Sequence, residues 1–214
     1  MTLIKFSAGV VAALLLSTTA QAAVVGFTAN PTANRQNWTA AVLASGGTTQ
    51  TNITFDAPNA GASLGAVTGF GAPVFSGGPG QGNTFSGPLS SGQGLYTPSL
   101  HRESNSSVFS LTTNFNAPVS AVGIDVIDYF GASGFNNFLN LSVFSGANGT
   151  GTLLGSFTSS QFNFQRNNVY FLGAVSTAND IGSAVFSRRT DNTGDVIGVD
   201  NIVSGVIGAV PEPT

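Results

Sequence analysis

The sequence predicts an all-β protein, an antiparallel jelly-roll-like β-sandwich with one short N-terminal helix. Three observations lead there. From Gly26 to Gly208, short apolar segments alternate with Gly, Asn, Ser and Thr punctuation, the spacing that sandwiches produce. Within many of those segments the apolar residues recur at every second position, as they do on one face of a strand. The chain also holds 17 Phe and 42% hydrophobic residues against 7% charged ones, where an average domain carries about 25% charge. A core is available, and its surface must be wetted by Ser, Thr, Asn and backbone. No repeat at a fixed period is present, which argues against a solenoid.

Residues 1–22 read as a secretion leader. Lys5 supplies the positive end, Phe6 to Leu16 form a short apolar run, and Ala20-Gln21-Ala22 offers the small residues that signal peptidase admits. The run is shorter than the ~20 residues that span a bilayer. The exported chain is expected to begin at Ala23, with Arg35, Arg102, Arg166, Arg188 and Arg189 as its only basic side chains apart from His101.

A helix is predicted from Arg35 to Ala44, because Trp38, Ala41 and Val42 fall on one face. Gly46-Gly47 ends it. Ile53 and Phe55 alternate with polar neighbours in a strand expected to end at Asp56. Gly61 to Gly94 is rich in Gly, Pro and Ser, with room for a strand or two from Val67 to Phe75. Phe109, Leu111, Thr113 and Phe115 alternate until Pro118, which is expected to break the run. Val122, Ile124 and Val126 share a face, as do Leu139, Leu141 and Val143. Leu153-Leu154, Val169 with Phe171, Ile181 with Val185, and Ile197 to Val203 complete eight to ten expected strands. They suit one domain, residues 23–208.

Several function classes fall away. With no cysteine, disulfide scaffolds, Cys-based zinc sites and thiol catalysis are excluded. A formal charge of −3 with scattered Arg lacks the clustered basic footprint of a nucleic-acid binder. Gly61-Ala62-Ser63-Leu64-Gly65 matches the serine-hydrolase elbow pattern, but no carboxylate stands between Ser63 and His101, the only histidine. Gly77 to Gly82 lacks the Lys-Ser/Thr of a phosphate loop. His101-Arg102-Glu103 reads as a solvated loop with a local ion pair. Spacing gives no support to Glu103 with Asp125 or Asp128 as glycosidase carboxylates.

The aspartates say more. Asp125 lies in a strand among apolar neighbours, and Asp200 sits in the closing strand beside Asn201. A carboxylate pushed into a sheet must be neutralised. Backbone donors, Arg188, Arg189 or a structural calcium at Asp200, Asn201 and Asp125 are the candidates, since Ca²⁺ takes oxygen ligands. Strict alternation in that strand sets Val199, Asn201 and Val203 on one face, with Val196, Gly198, Asp200 and Ile202 on the other. Sugar binding needs aromatic faces with amides for the hydroxyls. Tyr129, Phe130, Asn136 and Asn137 are the first candidates and Tyr96 the next, while Trp38 belongs to the core.

Val210-Pro211-Glu212-Pro213-Thr214 closes the sequence. With the leader and the segments Phe115 to Asp125, Leu141 to Ser156, Tyr170 to Gly173 and Gly198 to Ile202, it resembles the PEP-CTERM proteins of Gram-negative bacteria. The resemblance covers about half the chain, from Phe115 to Ile207. It implies that Pro211, Glu212 and Pro213 form a sorting motif read by an exosortase-type enzyme. It also implies that the native protein continues past Thr214 into an apolar helix and an Arg cluster, the membrane anchor that this sequence lacks. The expected function is a non-enzymatic structural or adhesive role at the cell surface or in the extracellular matrix. The alternative is a carbohydrate-binding module recognising exopolysaccharide, and a hydrolase is a distant third. No cofactor beyond the candidate calcium is expected.

Overall fold

Period-two alternation becomes strands, and the strands pair antiparallel in two sheets. The structure is a computed structural model, describing residues 22–28, 33–53, 74–76, 84–85, 99–102, 108–127, 138–159, 169–189 and 197–208. In chain order the elements are β1 (Val24–Phe27), α1 (Asn34–Ala44), β2 (Gly47–Ile53), β3 (Val74–Ser76), β4 (Thr84–Phe85), β5 (Ser99–Arg102) and β6 (Val108–Val119). There follow β7 (Ala121–Ile127), β8 (Phe138–Phe144), β9 (Leu153–Thr158), β10 (Val169–Ser176), β11 (Ile181–Arg189) and β12 (Ile197–Ile207). One sheet runs β1-β10-β7-β12-β5-β4, with β2 also paired to β12, and the other runs β3-β6-β11-β8-β9. From β6 onward the chain passes repeatedly between the sheets, which gives the expected jelly-roll-like sandwich.

The core between the sheets takes the inward residues of each. Val122, Ile124, Val126, Leu172, Ala174, Val199 and Ile202 from the seven-stranded sheet meet Leu111, Phe115, Leu139, Leu141, Val143, Ala184 and Phe186 from the five-stranded one. A second layer lies outside the seven-stranded sheet. There Trp38 and Val42 of α1 pack on Ala121, Phe171, Val175 and Val203. The centre of that sheet is therefore buried on both faces, which is why β10 reads as an unbroken apolar run rather than an alternating one.

Helix α1 spans one residue more than expected. It stops where Gly46 takes φ +72°, with its N–H on the Leu43 carbonyl at 3.0 Å. Among the described residues there are twelve strands rather than eight to ten, because β3, β4 and β5 are short. Strand β2 is described to Ile53; residues 54–56 and most of 61–94 lie outside the described residues. Pro118 does not end β6. The pairs step from Val119–Ile181 to Asn114–Ser183, so the ladder lapses before Pro118 and its missing N–H costs no bond. A register shift between Ile181 and Ser183 also changes the inward set on β11. Ala184 and Phe186 fill the core there, and Val185 points outward. No described helix is long and apolar enough to cross a membrane.

Two glycines seat the helix. A Cβ on Gly173 would stand 2.5 Å from Trp38 Cδ1, and one on Gly123 would enter the Phe171 ring. Gly123→Ala is therefore expected to lower stability by about 1–3 kcal/mol, as overpacking does. Urea unfolding measures it, and an unchanged midpoint would mean that the ring can step aside freely.

Candidate functional site

Asp125 shares the helix-facing side of β7 with Ala121 and Gly123, and is 5% exposed. Arg35, on the first turn of α1, brings Nη2 within 2.6 Å of its Oδ2. At that distance the two charges form an ion pair. Asn201 Nδ2 donates to the same Oδ2 at 3.0 Å. Oδ1 is buried with no hydrogen-bond partner among the described residues.

Arg35 is held over the Phe171 ring, its Cζ 4.5 Å from the centroid. Phe171 stands beside Asp125 in the β10–β7 register and meets Trp38 edge-on at 5.5 Å and 61°. Two hydrogen bonds also run from α1 to β10: Asn34 Nδ2 donates to the Phe171 carbonyl at 2.9 Å, and Trp38 Nε1 to the Ala174 carbonyl at 3.1 Å. The constellation clasps the helix to the sheet. Its carboxylate is paired with a guanidinium.

Asn201 reaches Asp125 from a bulge. The β12–β7 pairs step from Asp200–Asp125 to Val203–Gly123, one residue too many on β12, and Asn201 takes φ +48° to absorb it. Asn tolerates that left-handed conformation better than most residues. The bulge overturns strict alternation in this strand: Val199 and Ile202 both enter the core between the sheets, while Val203 packs under the helix. The register does bring together Asp125, Asp200 and Asn201, the three residues singled out for calcium. The counter-charge found for Asp125, however, is Arg35, which sequence reasoning missed. Its one signal was being the only charged residue of the helix. Among the described residues, no three of His, Cys, Asp and Glu gather to hold a metal. The side chains of Asp200, Arg188 and Arg189 lie outside the described set.

The other polar surface is the outer face of the five-stranded sheet. Along β8, Phe138, Asn140, Ser142 and Phe144 turn outward, half-buried, between buried Leu139, Leu141 and Val143. Asn140 Nδ2 donates to Ser142 Oγ at 3.0 Å, Thr158 Oγ1 donates to Asn140 Oδ1 at 2.9 Å, and the hydroxyls of Ser142 and Ser156 lie 3.0 Å apart. The rows continue inward across the sheet. Ser142 faces Val185, which faces Thr112, and Asn140 faces Ser187, which faces Ser110. At one margin Asn114 and Asn148 exchange two hydrogen bonds at 2.8 and 2.6 Å. No charged side chain is among the described ones of this face; the register sets Arg189 opposite Phe138 at its edge.

The remaining expected site residues are not described. Tyr96, Glu103, Asp128, Tyr129, Phe130, Asn136, Asn137, Pro211, Glu212 and Pro213 lie outside the described residues, as does Ser63. His101 is placed only by its backbone, opposite Gly198.

No protein-family model matches the chain, and no curated protein does. Solved structures with a likeness include the C-terminal family 22 carbohydrate binding module of Clostridium thermocellum Xyn10B. It shows 15% identity and a TM-score of 0.42, over 79% of this chain and 98% of the module. The K3 cleaved adhesin domain of Lys-gingipain from Porphyromonas gingivalis shows 13% identity and a TM-score of 0.43, over 75% and 99% of the two chains. TmCBM61, solved with β-1,4-galactotriose, shows 13% identity and a TM-score of 0.38, over 64% and 88%. Likenesses of this extent say nothing about what this chain binds.

Proposed function

We propose that the protein is exported and held at the cell surface or in the extracellular matrix, with a non-enzymatic structural or adhesive role. The observation that carries this reading is where the two ends of the described body are fastened. Ala23 donates its N–H to Thr177 Oγ1 at 3.1 Å and accepts from the Thr177 N–H at 3.0 Å. The Asn179 amide exchanges two bonds with the Ile207 backbone, each 2.9 Å. Both ends thus meet the one turn, residues 177–180, that joins β10 to β11. Leader and sorting tail would leave the body from that pole. The connections 103–107, 128–137, 160–168 and 190–196 leave from strand ends at the opposite pole. A body tethered at one pole presents the other pole and its open sheet face outward.

The carbohydrate-binding alternative keeps one supporting observation. The strands flanking residues 128–137 end and begin at the pole turned away from the tether, with Ile127 opposite Val169 and Phe138 opposite Arg189, and that stretch of sequence holds the candidates Tyr129, Phe130, Asn136 and Asn137. An exosortase-type enzyme acting at Pro211 to Pro213 belongs to the same proposal for the full-length form.

Expressed in its host from the complete gene, the protein should be recovered from the surface or matrix fraction with Ala23 as its first residue. N-terminal sequencing and cell fractionation check this. Cytoplasmic material beginning at Met1 or Thr2 would overturn the reading.

A further inference from the structure

We propose that the turn between β8 and β9 holds a latent modification site, where Asn148 converts to aspartate or isoaspartate through a cyclic imide once Asn114 and Ser183 let go of it. Asn148-Gly149 is the only Asn-Gly pair in the sequence, and Asn148 is exposed. The reaction is intramolecular. The Gly149 main-chain nitrogen attacks Asn148 Cγ and gives up its proton as the new C–N bond forms. The Cγ–Nδ2 bond breaks, and Nδ2 takes up a proton and leaves as ammonia. Water then opens the five-membered ring at either carbonyl. Glycine after Asn favours the attack, because no side chain crowds the nitrogen and the backbone turns freely.

The native turn forbids that ring. Asn148 stands at φ 56°, ψ 33°, the left-handed region that Asn tolerates. Tetrahedral geometry at Cα then sets the Gly149 nitrogen nearly opposite Cβ across the Cα–C bond. Ring closure needs the two on the same side, and no side-chain rotamer supplies that, so ψ itself must swing round. Two side chains resist the swing. Asn114 grips Asn148 twice: its Oδ1 accepts the Asn148 N–H at 2.6 Å, and its Nδ2 donates to Asn148 Oδ1 at 2.8 Å. Ser183 Oγ accepts the N–H of Gly149, the attacking nitrogen itself, at 3.0 Å and donates to the Gly146 carbonyl at 2.6 Å. Asn114 and Ser183 are directly opposite each other on β6 and β11, so one cross-strand pair holds both the amide and its attacker. Conversion therefore waits on local opening of the turn. Each event leaves a negative charge beside Asn114 at the margin of the sheet, and the turn records its own opening as charge.

The test follows Asn148 in the exported protein by peptide mapping and mass spectrometry during incubation in mildly alkaline buffer, with isoaspartate counted by an isoaspartyl methyltransferase. The same chain unfolded in guanidinium chloride gives the unguarded rate. Folded wild type should convert at least about tenfold more slowly, since opening must first break the bonds to Asn114 and Ser183. Asn114→Ala, which removes two of them, should convert about tenfold faster than folded wild type. Ser183→Ala should also convert faster. Thermal melts establish that both variants are folded during the incubation. Gly123→Ala loosens the other sheet without touching the turn, and should convert at the wild-type rate. Equal rates in folded and unfolded wild type overturn the proposal, as does a wild-type rate in either Asn114→Ala or Ser183→Ala. Acceleration in Gly123→Ala as large as in Asn114→Ala would make unfolding of the whole body the gate and overturn it too.

Discussion

Replacing Trp38 by alanine is expected to lower the unfolding free energy by about 3–5 kcal/mol, the range for deleting a large buried aromatic. Trp38 is 1% exposed and joins helix to sheet in two ways, by its edge contact with Phe171 and by its Nε1 bond to the Ala174 carbonyl. The cavity would be hard to close. Beneath the indole lies Gly173, which has no side chain to move into the space, and the backbone there is fixed by strands on both sides. The cost should therefore approach the upper end of the range. Far-UV circular dichroism in urea is the proper readout, because Trp38 is the only tryptophan and its fluorescence leaves with it. Trp38→Phe keeps most of the ring and loses the N–H, and should fall between the two. A Trp38→Ala midpoint close to wild type would mean that α1 does not hold this face of the sheet.

What could be read in the sequence was what repeats locally. Trp38, Ala41 and Val42 announced the buried stripe of α1, and the alternating residues of β7 and β8 announced the core between the sheets. The continuous run from Val169 to Val175 carried a further message, that β10 is covered on both sides, and the helix supplies that cover. The polar half of the alternation was equally present: Asn140 with Ser142, and Ser156 with Thr158, occupy every second position. It drew no notice because hydropathy patterns are scored on their apolar members. Two features had no local signal. Asn201 adopts a left-handed turn only because β12 carries one residue more than β7 can pair, and that mismatch exists between strands rather than within one. Arg35 and Asp125 lie far apart in the sequence, with five strands between their elements, and only the docking of α1 on β7 and β10 brings them together.

The ion pair that results should be markedly asymmetric. Arg35→Met is expected to cost about 3 kcal/mol, the low end for stranding one member of a buried pair. The Asp125 side chain is 8% exposed, and without Arg35 its charge would retain only the Asn201 bond. Methionine preserves an apolar stem over Phe171, so the loss would report charge more than packing, with a smaller part from the cation–π contact. Asp125→Asn should cost about 1 kcal/mol or less. It keeps the side chain's shape and an acceptor for Asn201, and it leaves behind an Arg35 whose side chain is 41% exposed and can turn its buried Nη2 to water. With the carboxylate gone, Arg35→Met has little left to strand. The double variant should melt close to Asp125→Asn alone, a coupling of about 3 kcal/mol. Urea melts of the four proteins, each with calcium and with a chelator, test both the pair and the metal reading. Calcium should not move the wild-type midpoint, because Arg35 already supplies the counter-charge. A calcium-dependent rise that vanishes in Asp125→Asn would restore a cation to this site. Strictly additive costs would reduce Arg35 and Asp125 to neighbours that happen to touch.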